Sequence, residues 1–307
     1  MSKTCSISNG FLWVSTRDHL VPELRPALSS IRKIGLRWIA YWYSIPGVDN
    51  ERSIRSPGAH LIHCSYHKCL TVYYRRVMDA VFNRCRPWGA GYRHYNSHLE
   101  DFYEQFRQDR LSSVNNRALD LDRVAPFRIS RFIRDPRDLV VSGYFYHRRG
   151  AEAWVRIEAP TEEDWYFANG VMPEGLKAAN TSFAKYLQSI PEEEGLMAEL
   201  EFRTRHLDSM ARWPAKHPDI VTYRYEDILG NEQEVFRELF EFYGLSRFER
   251  WLGAVFANRH SLNRHKRDPH IRNASSGQWR QYFTPRIRQA FNAEYSRLVS
   301  QLGYPSD

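Results

Sequence analysis

The sequence predicts an α/β fold, a single domain with a central parallel sheet flanked by helices. From residue 59 onward, short apolar segments typical of strands alternate with longer segments of helical periodicity, which is the pattern of parallel strands joined by helices. Basic residues also stand where two of these strands give way to helices, at Lys68 and Arg134. Because ligands of open α/β sheets bind at the carboxyl ends of the strands, the same pattern predicts an anion site.

Periodicity and helix boundary signals define the predicted elements. Pro136 opens one helix at a position where the first helical turn tolerates proline. Gly244 closes another, as glycine commonly does just beyond the last helical residue. The predicted elements are strands over 60–66, 127–133 and 220–225 and helices over 71–85, 136–147, 232–243 and 285–302.

Two further regions surround these elements. Residues 1–58 carry tryptophans and leucines at loosely helical spacing, and we expect a helical N-terminal extension that packs on the main domain, residues 59–307. Residues 150–218 are less regular, with glycines and prolines among charged segments. They are predicted to form a lid or acceptor-binding insertion within the same domain.

The composition restricts the partner and the compartment. The 307-residue chain has a formal net charge of +8, and its arginines are spread along the sequence, which favours a phosphate, sulfate or nucleic acid partner. Its 4 cysteines are too few for a disulfide framework and are expected to be reduced thiols. With neither a secretory signal nor a long apolar run, a cytoplasmic location is expected.

The segment 60–69, His-Leu-Ile-His-Cys-Ser-Tyr-His-Lys-Cys, admits two interpretations. Its histidines and cysteines are potential metal ligands. In a strand, however, successive side chains point to opposite faces, so these ligands diverge. A second His or Cys cluster at zinc-like spacing does not follow in the sequence, and no metal is expected.

The other interpretation is a strand, an anion-holding turn and a helix. The backbone N–H groups at a helix start favour negative charge. Lys68 adds a cation, Thr71 adds a hydroxyl, and Tyr73 is an aromatic that could meet a base. The Gly-x-x-x-x-Gly-Lys-Ser/Thr loop of nucleoside triphosphatases is absent. On this motif alone, a strand end with an incidental lysine stays open.

A second basic junction runs from Arg134 to Ser142. Arg134 closes a strand and offers a planar fork for phosphate, while Ser142 places a hydroxyl about two turns into the following helix. Arg137 is interpreted as a solvated residue of the first helical turn.

These motifs resemble those of the sulfotransferases that use 3′-phosphoadenosine 5′-phosphosulfate (PAPS). Segment 65–73, Ser-Tyr-His-Lys-Cys-Leu-Thr-Val-Tyr, resembles the family's 5′-phosphosulfate loop, Tyr-Pro-Lys-Ser-Gly-Thr-Thr-Trp, and segment 134–142 resembles its 3′-phosphate motif. Segment 272–285 resembles its Arg-Lys-Gly-x-x-Gly-Asp-Trp-Lys-x-x-Phe-Thr-Pro stretch, and segment 223–227 resembles its Tyr-Glu-Asp strand end. The resemblance implies a P-loop-NTPase-like sulfotransferase fold, a sulfotransferase activity and PAPS as the donor.

The resemblance also implies which residues bind the donor. Lys68 would hold the 5′-phosphate and stabilise the bridging oxygen as it leaves. Arg134 and Ser142 would bind the 3′-phosphate, and Tyr73 and Tyr225 would flank the adenine. The implied cofactor-binding residues are His67, Lys68, Cys69, Leu70, Thr71, Val72, Tyr73, Arg134, Ser142, Tyr225, Arg272, Asn273 and Ala274.

The chain departs from the family pattern inside the loop. His67 stands for proline, Cys69 for serine, and Leu70 for a glycine whose missing side chain lets the backbone approach phosphate. Further along, Asn273 and Ala274 stand for Lys-Gly. A catalytically impaired member of the family is therefore an alternative to an active enzyme.

In-line transfer of a sulfuryl group needs a general base, because the acceptor hydroxyl or amine must lose a proton. If the family pattern holds, this base is a His or Glu between the two phosphate motifs. Segment 92–100 is the only histidine-bearing stretch there. His98 is expected to be the base, with His94 and Glu100 behind it and His67 as another candidate.

Two other classes fit the sequence less well. A nucleotide-binding kinase would use the same sheet edge, but neither a magnesium site nor a glycine-rich loop is evident. A nucleic-acid-binding protein would present its basic residues as a run or a stripe. The expected partner is a small-molecule, glycan or lipid acceptor with a hydroxyl group, with neither a nucleic acid partner nor a transmembrane segment.

Overall fold

A five-stranded sheet organises the protein. The structure is a computed structural model that describes residues 58–85, 91–261 and 276–306, so nearly all of the predicted extension, 1–58, lies outside the described residues. All strand pairs are parallel, in the order β2-β3-β1-β4-β5, which confirms the predicted α/β class with a central parallel sheet. The strands are β1 (His60–Ser65), β2 (Tyr92–His94), β3 (Leu111–Asn115), β4 (Phe127–Ile133) and β5 (Ile220–Arg224).

Helices cover both faces of this sheet. Leu61 of β1 packs in a core cluster with α1, α10 and α11, whereas the next residue, Ile62, belongs to a different cluster, as expected for side chains that alternate across a strand. The helices are α1 (Thr71–Met78), α2 (Leu99–Gln105), α3 (Leu121–Val124), α4 (Pro136–Arg148), α5 (Glu174–Ala179), α6 (Phe183–Ser189), α7 (Glu192–Phe202), α8 (Thr204–Ala211), α9 (Tyr225–Ile228), α10 (Glu232–Phe242), α11 (Arg247–Arg259), α12 (Trp279–Tyr282) and α13 (Pro285–Gln301).

The strand order places the two basic junctions side by side. β1 lies between β3 and β4, and Ser65 at its end pairs with Asn115 and Phe132. The chain builds one half of the sheet through β2 and β3 and then crosses to the other half at β4. Such a switch point opens a crevice at the carboxyl ends of the strands, and the loops after β1 and β4 border it.

The predicted elements differ from the structure in two respects. The helix predicted over 71–85 is α-helical only to Met78 and continues as a π-helix over Asp79–Arg84. Two strands, β2 and β3, were not predicted. β2 has only 3 residues, and the serines of β3 interrupt its apolar pattern because their hydroxyls bond Asp109 and Tyr92.

Candidate active site

The loop between β1 and α1 has an unusual backbone. Lys68 and Leu70 both lie in the left-handed region, with φ of 73° and 63°, a conformation that non-glycine residues rarely adopt. The amide of Cys69 donates to the carbonyl of Tyr66 at 2.8 Å, and the Leu70 carbonyl accepts from the amide of Tyr74 at 2.9 Å. Leu70 therefore adopts a backbone conformation typical of glycine, the residue that the family's loop has at this position.

This geometry predicts how substitutions of Leu70 affect stability. Leu70→Gly should change the free energy of unfolding by less than about 1 kcal/mol, because relief of the left-handed backbone offsets the extra entropy of an unfolded glycine and the loss of packing. Leu70→Ile, which keeps the side-chain volume, should lower it by about 1–2 kcal/mol because a β-branched residue is disfavoured there. Urea unfolding of both variants measures the difference; an isoleucine variant as stable as the parent would contradict this loop geometry.

The other loop residues divide between the helix start and the core. The Thr71 hydroxyl donates to the Tyr66 carbonyl at 3.1 Å and lies 2.8 Å from the Ser65 hydroxyl. Cys69 is buried, and burial raises the pKa of its thiol to about 12, so it stays protonated. Val72 is exposed. Tyr73 is buried: its hydroxyl donates to the Ala257 carbonyl at 2.9 Å, and its ring packs edge-on to Phe236. Its role beside the adenine stays a prediction.

Lys68 lies in a cluster of positive charge. Its ammonium is 3.7 Å from the centroid of the Tyr146 ring. Desolvation, together with the nearby charges of Arg134, Arg149 and Arg203, lowers the pKa of Lys68 to about 7, and Glu152 opposes this shift. Several cations held this close together create a site that favours a multiply charged anion.

Four hydrogen bonds fix His67, the residue before Lys68. Its amide donates to Asn116 Oδ1 at 2.7 Å. Arg203 donates to its carbonyl at 3.3 Å and to its ring Nδ1 at 3.2 Å. The proton of the neutral ring is then on Nε2, which faces Glu152 Oε1 at 3.5 Å. Burial lowers the pKa of His67 to about 4, so the ring is neutral at physiological pH and acts as a clamp on the loop.

The clamp continues into an ion pair network that the sequence did not predict. Arg203 Nε donates to Glu199 Oε1 at 2.8 Å, and His147 Nδ1 is 2.7 Å from Glu199 Oε2. These three side chains are fully buried. A Cβ on Gly143 of α4 would overlap Glu199 Oε1 and Arg203 Nη2, so the glycine permits this close approach. We refer to His67, His147, Glu152, Glu199 and Arg203 as the loop clamp.

Three members of the loop clamp also resemble a metal ligand set. Ligand atoms of His67, His147 and Glu152 lie within 4.8 Å of one another, and these are not the residues that the sequence offered as ligands, apart from His67. Since Arg203 donates to His67 Nδ1, the remaining nitrogen of that ring is protonated and is not a ligand. The described geometry therefore favours a hydrogen-bonded clamp over a metal centre.

The junction after β4 places Arg134 beside Tyr225. The Arg134 guanidinium is buried and lies 4.3 Å from the centroid of the Tyr225 ring. Ser142 is half-buried in α4, two turns further on. The interpretation of Arg137 as solvated was wrong: it is 2% exposed, and its Nε and Nη2 donate to Asp135 at 2.9 and 2.8 Å. Asp135 caps α4, which explains why its arginine partner is held inside.

The C-terminal motif docks on the same helix start. Asp138 of α4 accepts hydrogen bonds from the amides of Gly277 and Trp279 at 2.6 and 2.9 Å. The Arg137 guanidinium lies 3.9 Å from the centroid of the Trp279 ring. Arg272, Asn273 and Ala274 lie outside the described residues. Gly277, which follows them in the same segment, is bonded to Asp138, and Asp138 follows Arg134 closely in the sequence.

The three candidates in segment 92–100 have different surroundings. His94 donates from Nε2 to Asn96 Oδ1 at 2.9 Å and accepts from the Ser113 hydroxyl at 2.7 Å, and burial lowers its pKa to about 3. Glu100 is exposed and pairs with Arg123 at 3.4 Å. The half-buried ring of His98 faces Tyr166, and no described residue forms a hydrogen bond with its nitrogens.

A side-chain bridge relates His98 to the Lys68 loop. Asn116 Nδ2 donates to the hydroxyl of Ser97 at 3.3 Å, and Asn116 Oδ1 accepts from the His67 amide at 2.7 Å. Asn116 follows β3 directly, so this bridge depends on the strand that the sequence did not reveal. The structure thus brings His98, Lys68 and Arg134 to one edge of the sheet, with Glu100 turned toward solvent.

The fold and this site define an α/β protein with a cluster of cationic side chains at the sheet edge between β1 and β4. The model of the sulfotransferase domain matches residues 127–303, and the chain belongs to this family. The matched residues include Arg134, Ser142 and Tyr225, whereas the Lys68 loop precedes them. Comparison with curated protein sequences gives no significant match.

Two solved structures are similar to the chain. The mouse sulfotransferase SULT7A1 in complex with PAP has 15% identity and a TM-score of 0.46, over 78% of this chain and 84% of that one. Retinol dehydratase in complex with androsterone and the inactive cofactor PAP has 15% identity and a TM-score of 0.41, over 79% of this chain and 80% of that one.

Among the described helices, none has the length and apolar character needed to span a membrane.

Proposed function

We propose that the protein transfers a sulfuryl group from PAPS to a hydroxyl or amine of an acceptor and releases 3′,5′-bisphosphoadenosine (PAP). The observation that carries this proposal is that Lys68 and Arg134 follow the ends of two neighbouring strands, β1 and β4, in a chain of the sulfotransferase domain family. Two solved structures similar to the chain are complexes with PAP, which agrees with the proposed nucleotide.

The residues at the sheet edge take distinct roles in this proposal. The acceptor oxygen forms a bond to sulfur on the side opposite the bridging oxygen, whose bond to sulfur breaks and leaves its electron pair on the 5′-phosphate of PAP. Lys68 and the loop amides stabilise the charge that develops on that oxygen. Arg134 and Ser142 bind the 3′-phosphate, Tyr225 lies against the adenine, and the segment holding Arg272, Asn273 and Ala274 closes over the nucleotide.

His98 is the proposed base because its ring differs from the other candidates. The ring nitrogens of His94 and His67 are engaged by neighbouring groups, whereas those of His98, which is half-buried beside the loop bridge, have no hydrogen-bond partner among the described residues. It can therefore accept the acceptor proton through a nitrogen lone pair. Tyr166, which faces the His98 ring, and the next residue, Phe167, are both exposed and belong to the 150–218 segment that we propose shapes the acceptor pocket.

Sulfate transfer from PAPS labelled in its sulfuryl group to a panel of phenols, alcohols, amines, glycans and lipids tests the activity. We expect His98→Ala to lower kcat by about 10²–10⁴-fold, the usual contribution of a general base. The matched control, His94→Ala, should retain more activity because the His94 lone pair is already engaged. Equal losses in the two variants would show that His98 is not the base. If none of the acceptors in the panel became labelled, the proposed activity would be contradicted.

A further inference from the structure

A small polar cavity opens beside β4 and β5, and none of its lining residues belongs to the Lys68 loop. Its volume is about 180 Å³, and Arg131, Thr222 and Arg224 of the two strands line it together with Trp213 and Gln301. This volume is roughly that of six water molecules in the liquid, and it is smaller than the pockets that bind drug-sized ligands. No acidic residue is among its lining residues, so its charge is positive.

Arg131 is the more deeply buried of the two arginines that line the cavity. The residue is 4% exposed, and its guanidinium lies 4.6 Å from the centroid of the Trp213 ring. Its Nε and Nη2 atoms are buried and have no hydrogen-bond partner among the residues that the structure describes. Burial lowers the pKa of Arg131, but a guanidinium stays charged in proteins, so the buried cation requires a counter-ion.

A second guanidinium lines the same cavity from the next strand. Arg224 lies over the Tyr304 ring at 5.0 Å, and no ion pair neutralises it within the described residues. The Thr222 side chain adds a hydroxyl at the exposed mouth. Two planar forks and a hydroxyl match the several acceptor oxygens of a tetrahedral oxyanion better than they match a halide.

We propose that this cavity binds a tetrahedral inorganic oxyanion, sulfate or phosphate, between Arg131 and Arg224. The bound ion neutralises Arg131 and fastens β5 to β4 on the side of the sheet next to α13. The lining contains none of the residues assigned to the PAPS site. Binding of an oxyanion here can therefore be tested separately from the proposed sulfotransferase activity.

Thermal unfolding of the full chain tests the site, in a Lys68→Ala/Arg134→Ala background that removes the other cationic edge. Sulfate or phosphate is compared with chloride at equal ionic strength. At a sulfate concentration about 100-fold above its Kd, Tm should rise by on the order of 5 °C. Arg131→Met should abolish this rise. Arg237→Met, on α10 with its arginine exposed and paired with Glu234, should leave it unchanged.

The sign of the effect in chloride is a second criterion. Without an oxyanion, Arg131→Met should unfold at a Tm equal to or above that of its parent, because it removes an unneutralised buried charge. A lower Tm in chloride together with no response of the parent to sulfate would show that the chain itself neutralises Arg131, and would overturn the proposal. Equal sulfate stabilisation of the two proteins would overturn it as well.

Crystals of the unmutated protein soaked in selenate give a readout that needs no variant. We expect an anomalous selenium peak between Arg131 and Arg224. A peak confined to the neighbourhood of Lys68, or none at all, would overturn the proposal even if Arg131→Met failed to fold.

Discussion

Replacing Lys68 with alanine is expected to lower kcat by about 10²–10³-fold, the usual cost of removing one group that stabilises developing charge. The free energy of unfolding should stay the same or rise, because the substitution removes a charge that the folded state holds at a cost. The reason is that the ammonium is desolvated among Arg134, Arg149 and Arg203, which lowers its pKa to about 7, so the folded state gains little from it. Steady-state kinetics and urea unfolding measure the two effects separately.

Lys185→Ala is the matched control, because Lys185 is exposed and pairs with Glu158 at 2.6 Å. It should leave both kcat and stability unchanged. Parallel losses of kcat and stability in Lys68→Ala would instead indicate a structural lysine and contradict its assignment to the leaving oxygen.

The lowered pKa of Lys68 also fixes a pH dependence. An unfolded lysine titrates near 10.5, so between about pH 7 and 10.5 the unfolded state binds the extra proton and this group's contribution to stability rises with pH. Binding of an anionic nucleotide restores the proton above pH 7. The affinity for PAP should therefore fall as pH rises from 7.5 to 8.5, by at most about tenfold, and Lys68→Arg should flatten this dependence.

Arg203→Met should lower the free energy of unfolding by about 3–5 kcal/mol, the range for breaking a buried ion pair. The substitution leaves the Glu199 carboxylate fully buried with only His147 beside it. It also removes both Arg203 bonds to His67, so the Lys68 loop loses part of its support. We therefore expect a higher KM for PAPS and a lower kcat in the protein that still folds.

Two comparisons identify the loop clamp as the cause. Arg205→Met, two residues further along the chain in α8 but half-exposed at its pair with Glu162, should cost less than about 1 kcal/mol. Glu199→Gln combined with Arg203→Met removes both charges and should recover part of the stability, but not the KM, because His67 stays unsupported. If Arg203→Met and Arg205→Met were equally stable, the clamp would not have the role assigned to it.

The sequence predicted the backbone of this site where its signals were local. The strand over 127–133 and the start of α4 at Pro136 are confirmed, because an apolar run and a proline at the first helical position are features of adjacent residues. Such features can be predicted without knowing which residues distant in sequence contact one another.

The features that the sequence did not reveal depend on distant contacts. The loop clamp joins His67 to Glu199 and Arg203 across more than 130 residues, and none of these residue types is informative alone. β3 was missed because two serines at its centre satisfy their hydroxyls with Asp109 and Tyr92, which breaks the apolar pattern. Arg137 was misjudged because residues distant in sequence cover its guanidinium: the centroid of the Trp279 ring lies 3.9 Å away, and the Pro305 carbonyl accepts from Nη2.

Calorimetric titration with PAP and with adenosine 5′-monophosphate, its 3′-dephosphorylated form, tests the central claim most directly. We expect the protein to bind PAP with a micromolar Kd and the monophosphate about 10–100-fold more weakly, since charge-assisted hydrogen bonds to a phosphate contribute about 1.5–3 kcal/mol. Arg134→Ala should remove most of that discrimination. A protein that fails to bind PAP at micromolar concentrations, or that binds both nucleotides equally, would contradict the assignment of this sheet edge to PAPS.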